Sequence, residues 1–294
     1  MQGAIPSPGL GVDTWGWTQV AYHSTAARSG LTIVNALADQ SYNIIGNRFQ
    51  VNSQFSKFAA AYAGGAVARN ALLTAPSLRK YAPVNIAPLD SAAVPSAPTP
   101  FEYLGFYNPL PITTGDQLEA DFDNENTSEY DTVLVWFEKN ARMPVKGEIF
   151  TVRGLGSTTL TAHAWTLLPF VLDNSLEEGI YAIVGMAVHT AHCIAARLVF
   201  PGVANSVRPG CIGQQADNAI MPKVFRYGRL GVWGLFDAAV QPQLEVLSTT
   251  ADTAEIVWLD LVKLTIGSQA MAVAFPGMPI TQAMGVSPAP GALY

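Results

Sequence analysis

Two stretches, Lys57–Ser77 (KFAAAYAGGAVARNALLTAPS) and Ile180–Gly202 (IYAIVGMAVHTAHCIAARLVFPG), can be laid on each other. Leu73 then meets Leu198 and Pro76 meets Pro201, both at a shift of 125. Upstream, Val51-Asn52-Ser53 faces Asp173-Asn174-Ser175 at a shift of 122, and downstream Arg79 faces Arg208 at 129. Gln117-Leu118-Glu119 follows with Gln243-Leu244-Glu245 at 126, then Val135-Trp136-Phe137 with Val257-Trp258-Leu259 at 122. Each match is weak alone. Their common order at a nearly constant shift is the signature of an internal repeat.

The repeated unit is β in character. Strand-like stretches are Gly30–Val34, Thr132–Phe137, Glu148–Val152, Thr158–Leu160 running on to Leu168, Ile180–Val188, Ile194–Phe200 and Ala254–Leu264. They are short, rich in Val, Ile, Thr and aromatics, and bounded by Gly, Pro, Asn or Asp. One helix candidate, Phe58–Leu73, is weakened by Gly64-Gly65 in its interior. The pattern predicts an all-β chain of two tandem antiparallel β-sandwich (jelly-roll) domains with extended N- and C-terminal arms. The expected division is an N-terminal arm at 1–28, domains at 29–147 and 148–266, and a C-terminal arm at 267–294. Lys80–Thr99 is expected as an unstructured surface excursion.

Composition narrows the function. Charged residues are 13 % of the 294, about half the usual ~25 % share. An isolated monomer ordinarily needs a charged, patch-free surface, so a chain this poor in charge points to a surface covered by copies of itself. Lys and Arg number 16 against 22 Asp and Glu, without a basic run, so the footprint of a nucleic-acid binder is missing. The N-terminus lacks the basic and apolar regions of a signal peptide. The most apolar window, Ile180–Phe200, carries His189, His192 and Arg197 and is expected as two buried strands, not a membrane span. Cys193 and Cys211 make no disulfide framework and are expected to be reduced, pairing only in an oxidising compartment. The arm 267–294 contains no Asp, Glu, Lys or Arg. Its Phe275, Met278, Ile280, Met284, Leu293 and Tyr294 need cover from a neighbouring subunit, from lipid or from the chain's own domains.

No catalytic, cofactor-binding or metal-binding residue is assigned. His189-x-x-His192-Cys193 has metal-ligand residue types, but on a strand positions i and i+3 point to opposite faces. Glu119, Asp121, Asp123 and Glu125 alternate and would share one face of a strand. Asn126 and Thr132 stand where a calcium loop needs Gly and Glu. That leaves a loose interfacial calcium site near Asp121 and Asp123, or a solvated strand edge guarded by charge. Gly154-Leu155-Gly156-Ser157 is expected as a turn, with no lysine at phosphate-loop spacing. The remaining histidines are His23 and His163, and no nucleophile elbow accompanies them. Asn126-Thr127-Ser128 is a glycosylation sequon expected to be unused. Trp15, Trp17, Tyr103, Phe106, Tyr107, Trp233 and Phe236 could stack on sugars, anchor subunit contacts or fill cores.

RNALLTAPSLR (Arg69–Arg79) with AARLVFPGVANSVRPGC (Ala195–Cys211), and GDQLEADFDNENTSEYDTVLVWF (Gly115–Phe137) with QPQLEVLSTTADTAEIVWLDLVKL (Gln241–Leu264), carry a resemblance. The chain resembles the double jelly-roll major capsid proteins of tailless icosahedral viruses, and these segments resemble phage virion proteins. The resemblance implies a non-enzymatic structural protein of the virion, made in the host cytoplasm. Homotrimers of pseudo-sixfold outline would build an icosahedral shell by self-assembly. The partners implied are neighbouring trimers, other virion proteins and an internal membrane met by the arms, with no sequence-specific nucleic acid and no cofactor. Two alternatives stand beside it. One is a phage spike or decoration protein with carbohydrate-binding jelly rolls. The other is a β-sandwich enzyme acting on polysaccharide, for which no carboxylate pair is singled out.

Overall fold

The computed structural model describes residues 17–25, 28–39, 42–52, 57–65, 68–81, 84–86, 89–90, 110–128, 131–138, 147–189, 192–201, 208–213, 223–253 and 255–264. Trp15, Tyr103, Phe106, Tyr107 and the C-terminal arm lie outside them. Four sheets account for nearly all the regular structure. Sheet 1 runs β1 (Trp17–Ser24), β11 (Asp131–Glu138), β5 (Lys57–Gly65), β8 (Leu89–Asp90), with β9 (Leu110–Pro111) also on β5. Sheet 2 runs β3 (Asn43–Ile45), β4 (Arg48–Gln50), β10 (Gln117–Ser128), β6 (Ala68–Thr74), β7 (Val84–Ile86), and β2 (Arg28–Val34) also pairs β10. Sheet 3 runs β14 (Phe170–Leu172), β12 (Phe150–Gly156), β20 (Glu255–Leu264), β15 (Ile180–His189), β18 (Gly234–Asp237). Sheet 4 runs β13 (Trp165–Leu168), β19 (Gln243–Ser248), β16 (Cys193–Val199), β17 (Gly210–Ile212).

The strand order is that of two jelly rolls. In the second half, β12, β13, β15, β16, β17, β18, β19 and β20 are eight strands in sequence. The first, eighth, third and sixth lie side by side in sheet 3, and the second, seventh, fourth and fifth in sheet 4. In the first half, β1, β2, β5, β6, β7, β9, β10 and β11 repeat that order in sheets 1 and 2. The pairings β1–β11, β11–β5, β5–β9, β2–β10, β10–β6 and β6–β7 are antiparallel. Two opposed sheets of this kind fold a strand ladder back on itself and shield its edges.

The repeat extends to irregularities. On β5, Ala59 is skipped, since Trp136 pairs Ala60 and Phe137 pairs Phe58. On β15, Val184 is skipped, since Leu261 pairs Ile183 and Asp260 pairs Gly185. On β6 and β16 the skipped residues are Arg69 and Ile194. Both pairs of bulges stand 125 positions apart, the shift at which Leu73 meets Leu198. The bulges correct the later matches. They set Asp123 against Leu247 and Trp136 against Asp260, each at a shift of 124, where sequence matching gives 126 and 122. A two-residue slip keeps every side chain on its face, so alternation alone cannot distinguish these registers.

Alternation fills two cores. Val20, Tyr22, Phe58, Leu73, Phe122, Val133, Val135 and Phe137 meet between sheets 1 and 2. Ile183, Val188, Leu198, Leu244, Val257, Leu259 and Leu261 meet between sheets 3 and 4. The second cluster also takes in Trp17, Ala21, Tyr62, Leu134 and Trp136, the side chains on the other face of sheet 1. The central part of sheet 1 is therefore buried on both faces, and every residue of β1 and β11 is buried.

Several expectations change. The helix candidate Phe58–Leu73 is β5 and β6, in opposite sheets, because its alanines fit under the bulged strand pair as small core residues. Residues 17–24, placed in the N-terminal arm by their Gly/Pro-rich surroundings, are β1. Gly154–Gly156 is no turn but the end of β12, packed so closely that a Cβ on Gly156 would lie 2.7 Å from Leu168. Of Thr158–Leu168, only Trp165–Leu168 is strand. Lys80–Thr99 contributes β7 and β8. Ile180–Phe200 holds the two buried strands β15 and β16.

Candidate functional site

Among the described residues, buried polar and charged groups gather where the two sandwiches meet. β1 alternates Val20 and Tyr22 toward its own core with Trp17, Gln19, Ala21 and His23 toward the second half. Its backbone continues into that half: Gln19 N–H donates to Arg208 O at 2.9 Å, and Arg208 N–H donates to Thr18 Oγ1 at 2.9 Å. Trp136 on β11 donates its indole N–H to Gly210 O at 3.1 Å. A Cβ on Gly210 would lie 2.6 Å from the backbone oxygen of Ala196 and would also displace the Gln19 side chain that reaches it across the seam.

Arg197 is the hub. It sits on the outer face of sheet 4 in the row Leu167–Glu245–Arg197–Gly210 and is 1 % exposed. Its Nε donates to Glu245 Oε2 at 2.7 Å and its Nη1 to Gln19 O at 3.0 Å. Nη1 also pairs with Asp39, 158 residues away in the first half. The guanidinium carbon lies 4.1 Å over the ring of Trp165, a cation–π contact. Arg208 stands 3.6 Å from Glu245. Burial pulls the Arg208 guanidinium below its ordinary value, and the Glu245 charge opposes that pull. The sequence signal for this hub is a lone arginine in the apolar strand CIAARLV, since a charge buried there requires partners.

A second clamp supports the seam from behind. Asp260 accepts Arg226 Nε and Nη2, each at 2.7 Å, Tyr227 N–H at 2.9 Å and Thr151 Oγ1 at 2.7 Å. Burial raises the Asp260 carboxyl, but these hydrogen bonds outweigh it and hold the group below the ordinary range. The clamped segment carries Phe225, whose ring lies 5.8 Å from Trp136 and 6.3 Å from Trp233. Trp233 meets Trp17 edge to face at 4.7 Å.

The histidines split. His23 Nδ1 is 2.7 Å from Thr132 Oγ1, and its Nε2 is 2.9 Å from Nδ1 of His163 in the second half. His163 takes a left-handed backbone conformation (φ 60°). Burial, with the His163 charge adding to it, lowers His23 to about 3, and burial lowers His163 as well. The folded state thus holds His23 neutral while the unfolded chain protonates it below its ordinary 6.5. Stability conferred by neutral His23 is present above pH 6.5 and is lost as pH falls through the window toward 3. Between pH 6.5 and about 5, wild type should lose up to about 2 kcal/mol that a His23→Gln variant does not lose. Urea unfolding at the two pH values checks this.

His189 ends β15 and His192 lies in the following turn. Among the described residues no group of three or more His, Cys, Asp or Glu is placed to hold a metal. Glu119, Asp121 and Asp123 do share the outer face of β10, but β10 is an inner strand, flanked by β6 on one side and by β2 and β4 on the other. The edge-guard expectation therefore fails. Glu119 pairs with Arg48, and burial, then the Glu119 charge, raises the Asp121 carboxyl. Trp17, Trp233 and Phe236 are buried, so none is a sugar-stacking platform. Cys193 and Cys211 are free and buried. Burial pushes the Cys211 thiol up to about 12 and the Cys193 thiol well above its usual value, the opposite of a reactive thiol.

No family model and no curated protein matches the chain. Among solved structures, the major capsid protein P2 from bacteriophage PM2 aligns over 85 % of this chain and 99 % of its own. The sequence identity is 12 % and the TM-score 0.25. The strand order and the repeated bulges define the tandem jelly-roll fold of this chain.

Proposed function

We propose that this chain is a structural protein of a virion, a major capsid protein that builds a shell by self-association, with trimers as its first assembly unit. The observation that carries the proposal is the seam itself. One jelly roll buries the outer face of its strands β1, β5 and β11 against a second jelly roll of the same connectivity. A fold whose sheet faces already serve as interfaces, in a chain with 13 % charged residues, suits close packing among copies. The buried ionic groups Arg197, Asp39, Glu245, Arg226 and Asp260 join elements of this chain to one another. The terminal arms would tie neighbouring trimers or meet other virion components, including a membrane.

Sedimentation velocity and electron microscopy of the purified full chain test the proposal. The expected result is trimers or larger bodies without added ligand, with shell fragments or closed particles at higher concentration. A chain that stays monomeric throughout the micromolar range overturns it.

A further inference from the structure

Where β6 ends and β10 begins, the first jelly roll holds a pocket of about 690 Å³, within the ~300–1,000 Å³ span of small-molecule sites. Its walls are two turns tied to each other. In one, Leu78 N–H donates to Ala75 O, and in the other Asp116 N–H donates to Thr113 O, each at 3.0 Å. Ser77 joins them twice: its N–H donates to Asp116 Oδ2 at 2.8 Å, and its Oγ accepts Thr113 N–H at 3.2 Å. Val51 N–H donates to Asp116 O and Val51 O accepts Gly115 N–H, each at 2.8 Å. Polar groups on a frame laced in this way are positioned before a ligand arrives.

The strand wall supplies Thr74 and Glu119, paired across β6 and β10, with Gln117 two residues along the same face. Arg48 closes it, with Nε and Nη2 both on Glu119 Oε2. The Gln117 amide, the Thr74 hydroxyl and the second oxygen of Asp116 bond to no described residue. The repeat shows that the fold does not demand this set. Val199 pairs Gln243 as Thr74 pairs Glu119. Val240 stands 124 positions after Asp116 and makes the same turn bond, its N–H donating to Asp237 O at 2.8 Å. The second half thus builds the same turn with Val199, Val240 and Gln243 in place of Thr74, Asp116 and Glu119.

The lining selects among ligands. Arg48 is taken up by Glu119, and Asp116, with Asp121 one row further along β10, leaves an excess of negative charge that repels phosphates and carboxylates. An apolar ligand would strip water from four hydrogen-bonding side chains and return nothing. A simple amine would satisfy Asp116 and leave Thr74 and Gln117 unpaired. A ring with hydroxyls on successive carbons gives each group a partner, since a hydroxyl donates to a carboxylate and accepts from an amide or guanidinium. The exposed Pro76 ring offers an apolar surface to the C–H face of such a ring. We propose that this pocket binds a neutral sugar ring, with Asp116 and Gln117 as its hydroxyl partners, and that the protein thereby recognises a glycan. The pocket lies within one jelly roll and would work in a monomer as in a shell.

Saturation-transfer NMR and calorimetry on the full chain test this with methyl glucoside, methyl galactoside, methyl mannoside and N-acetylglucosamine, beside N-acetylneuraminic acid and spermidine. At least one neutral sugar should bind with a millimolar or tighter dissociation constant, and the acidic sugar and the polyamine should not bind. Asp116→Asn and Gln117→Ala should each weaken that sugar about tenfold. Gln241→Ala, at the repeat position of Gln117, should leave binding unchanged. Gln117→Ala removes no hydrogen bond within the protein, so it reads the site even if Asp116→Asn loosens the Ser77 contact and lowers the melting temperature. No binding by any neutral sugar, binding of spermidine or N-acetylneuraminic acid instead, a Gln117→Ala variant that binds as the wild type does, or an equal loss in Gln241→Ala would overturn the site. None of these outcomes bears on self-assembly, which sedimentation reads separately.

Discussion

Arg197→Met should destabilise the folded chain by about 3–5 kcal/mol, because it takes from the buried carboxylates of Asp39 and Glu245 the guanidinium they share and leaves Glu245 only the more distant Arg208, at 3.6 Å. Asp39 and Glu245 are 2 % and 12 % exposed as side chains, so little water can replace the guanidinium. The change also strips Gln19 O of its donor and Trp165 of the cation on its face. Methionine fills much of the arginine stem's volume, so the loss isolates the charge rather than a cavity. Chemical unfolding at neutral pH reads it. The companion measurement is the triple variant Arg197→Met, Asp39→Asn, Glu245→Gln, which should recover much of the loss, since an apolar or neutral replacement of a whole buried ion set is often nearly neutral. A single variant within about 1 kcal/mol of wild type would show that the hub contributes little to holding the halves together.

Trp136→Ala should be comparably severe, at about 3–5 kcal/mol. The indole is fully buried, packs on Phe225 and donates to Gly210 O. Truncation opens a void between two rigid sheets that cannot collapse onto it, and it orphans the carbonyl. Trp136→Phe keeps most of the volume and removes the donor, so it should fall well short of the alanine value. Trp258→Ala is the contrast. Trp258 lies on the open outer face of sheet 3 and is only half-buried, so its truncation should cost far less in the isolated chain.

The sequence was most legible where strands are apolar and bounded by turns. Thr132–Phe137 and Ile180–Val188 fall within β11 and β15, and Ile194–Phe200 matches β16 up to Val199. The tandem repeat was readable because β5–β6 and β15–β16 keep one spacing, including their bulges. β1 was missed for a physical reason. Its sequence, WTQVAYHS, alternates residues for two different buried environments, one of them polar, so it matches neither an amphipathic nor a wholly apolar strand. The alanine run of β5 mimics a helix because alanine favours helices when nothing else decides. Arg197 entered the sequence reading only as a charge unsuited to a membrane span; its partner Asp39 is 158 residues away, and no local pattern predicts that pairing. The face of Glu119, Asp121 and Asp123 followed from period two, whereas the position of β10 inside its sheet depends on long-range pairing.

Sheet 1 contributes side chains to both cores at once. The strands β1 and β11 have no side open to water: on β11, Val133, Val135 and Phe137 belong to one core, Leu134 and Trp136 to the other. Neither half can loosen without stripping a face from β11, and separating them would expose Trp17, Tyr62, Leu134 and Trp136 together. The duplicated halves are thus thermodynamically fused. They should melt as one cooperative body, and hydrogen exchange should find β11, shared by both cores, the last to release its amide protons to solvent.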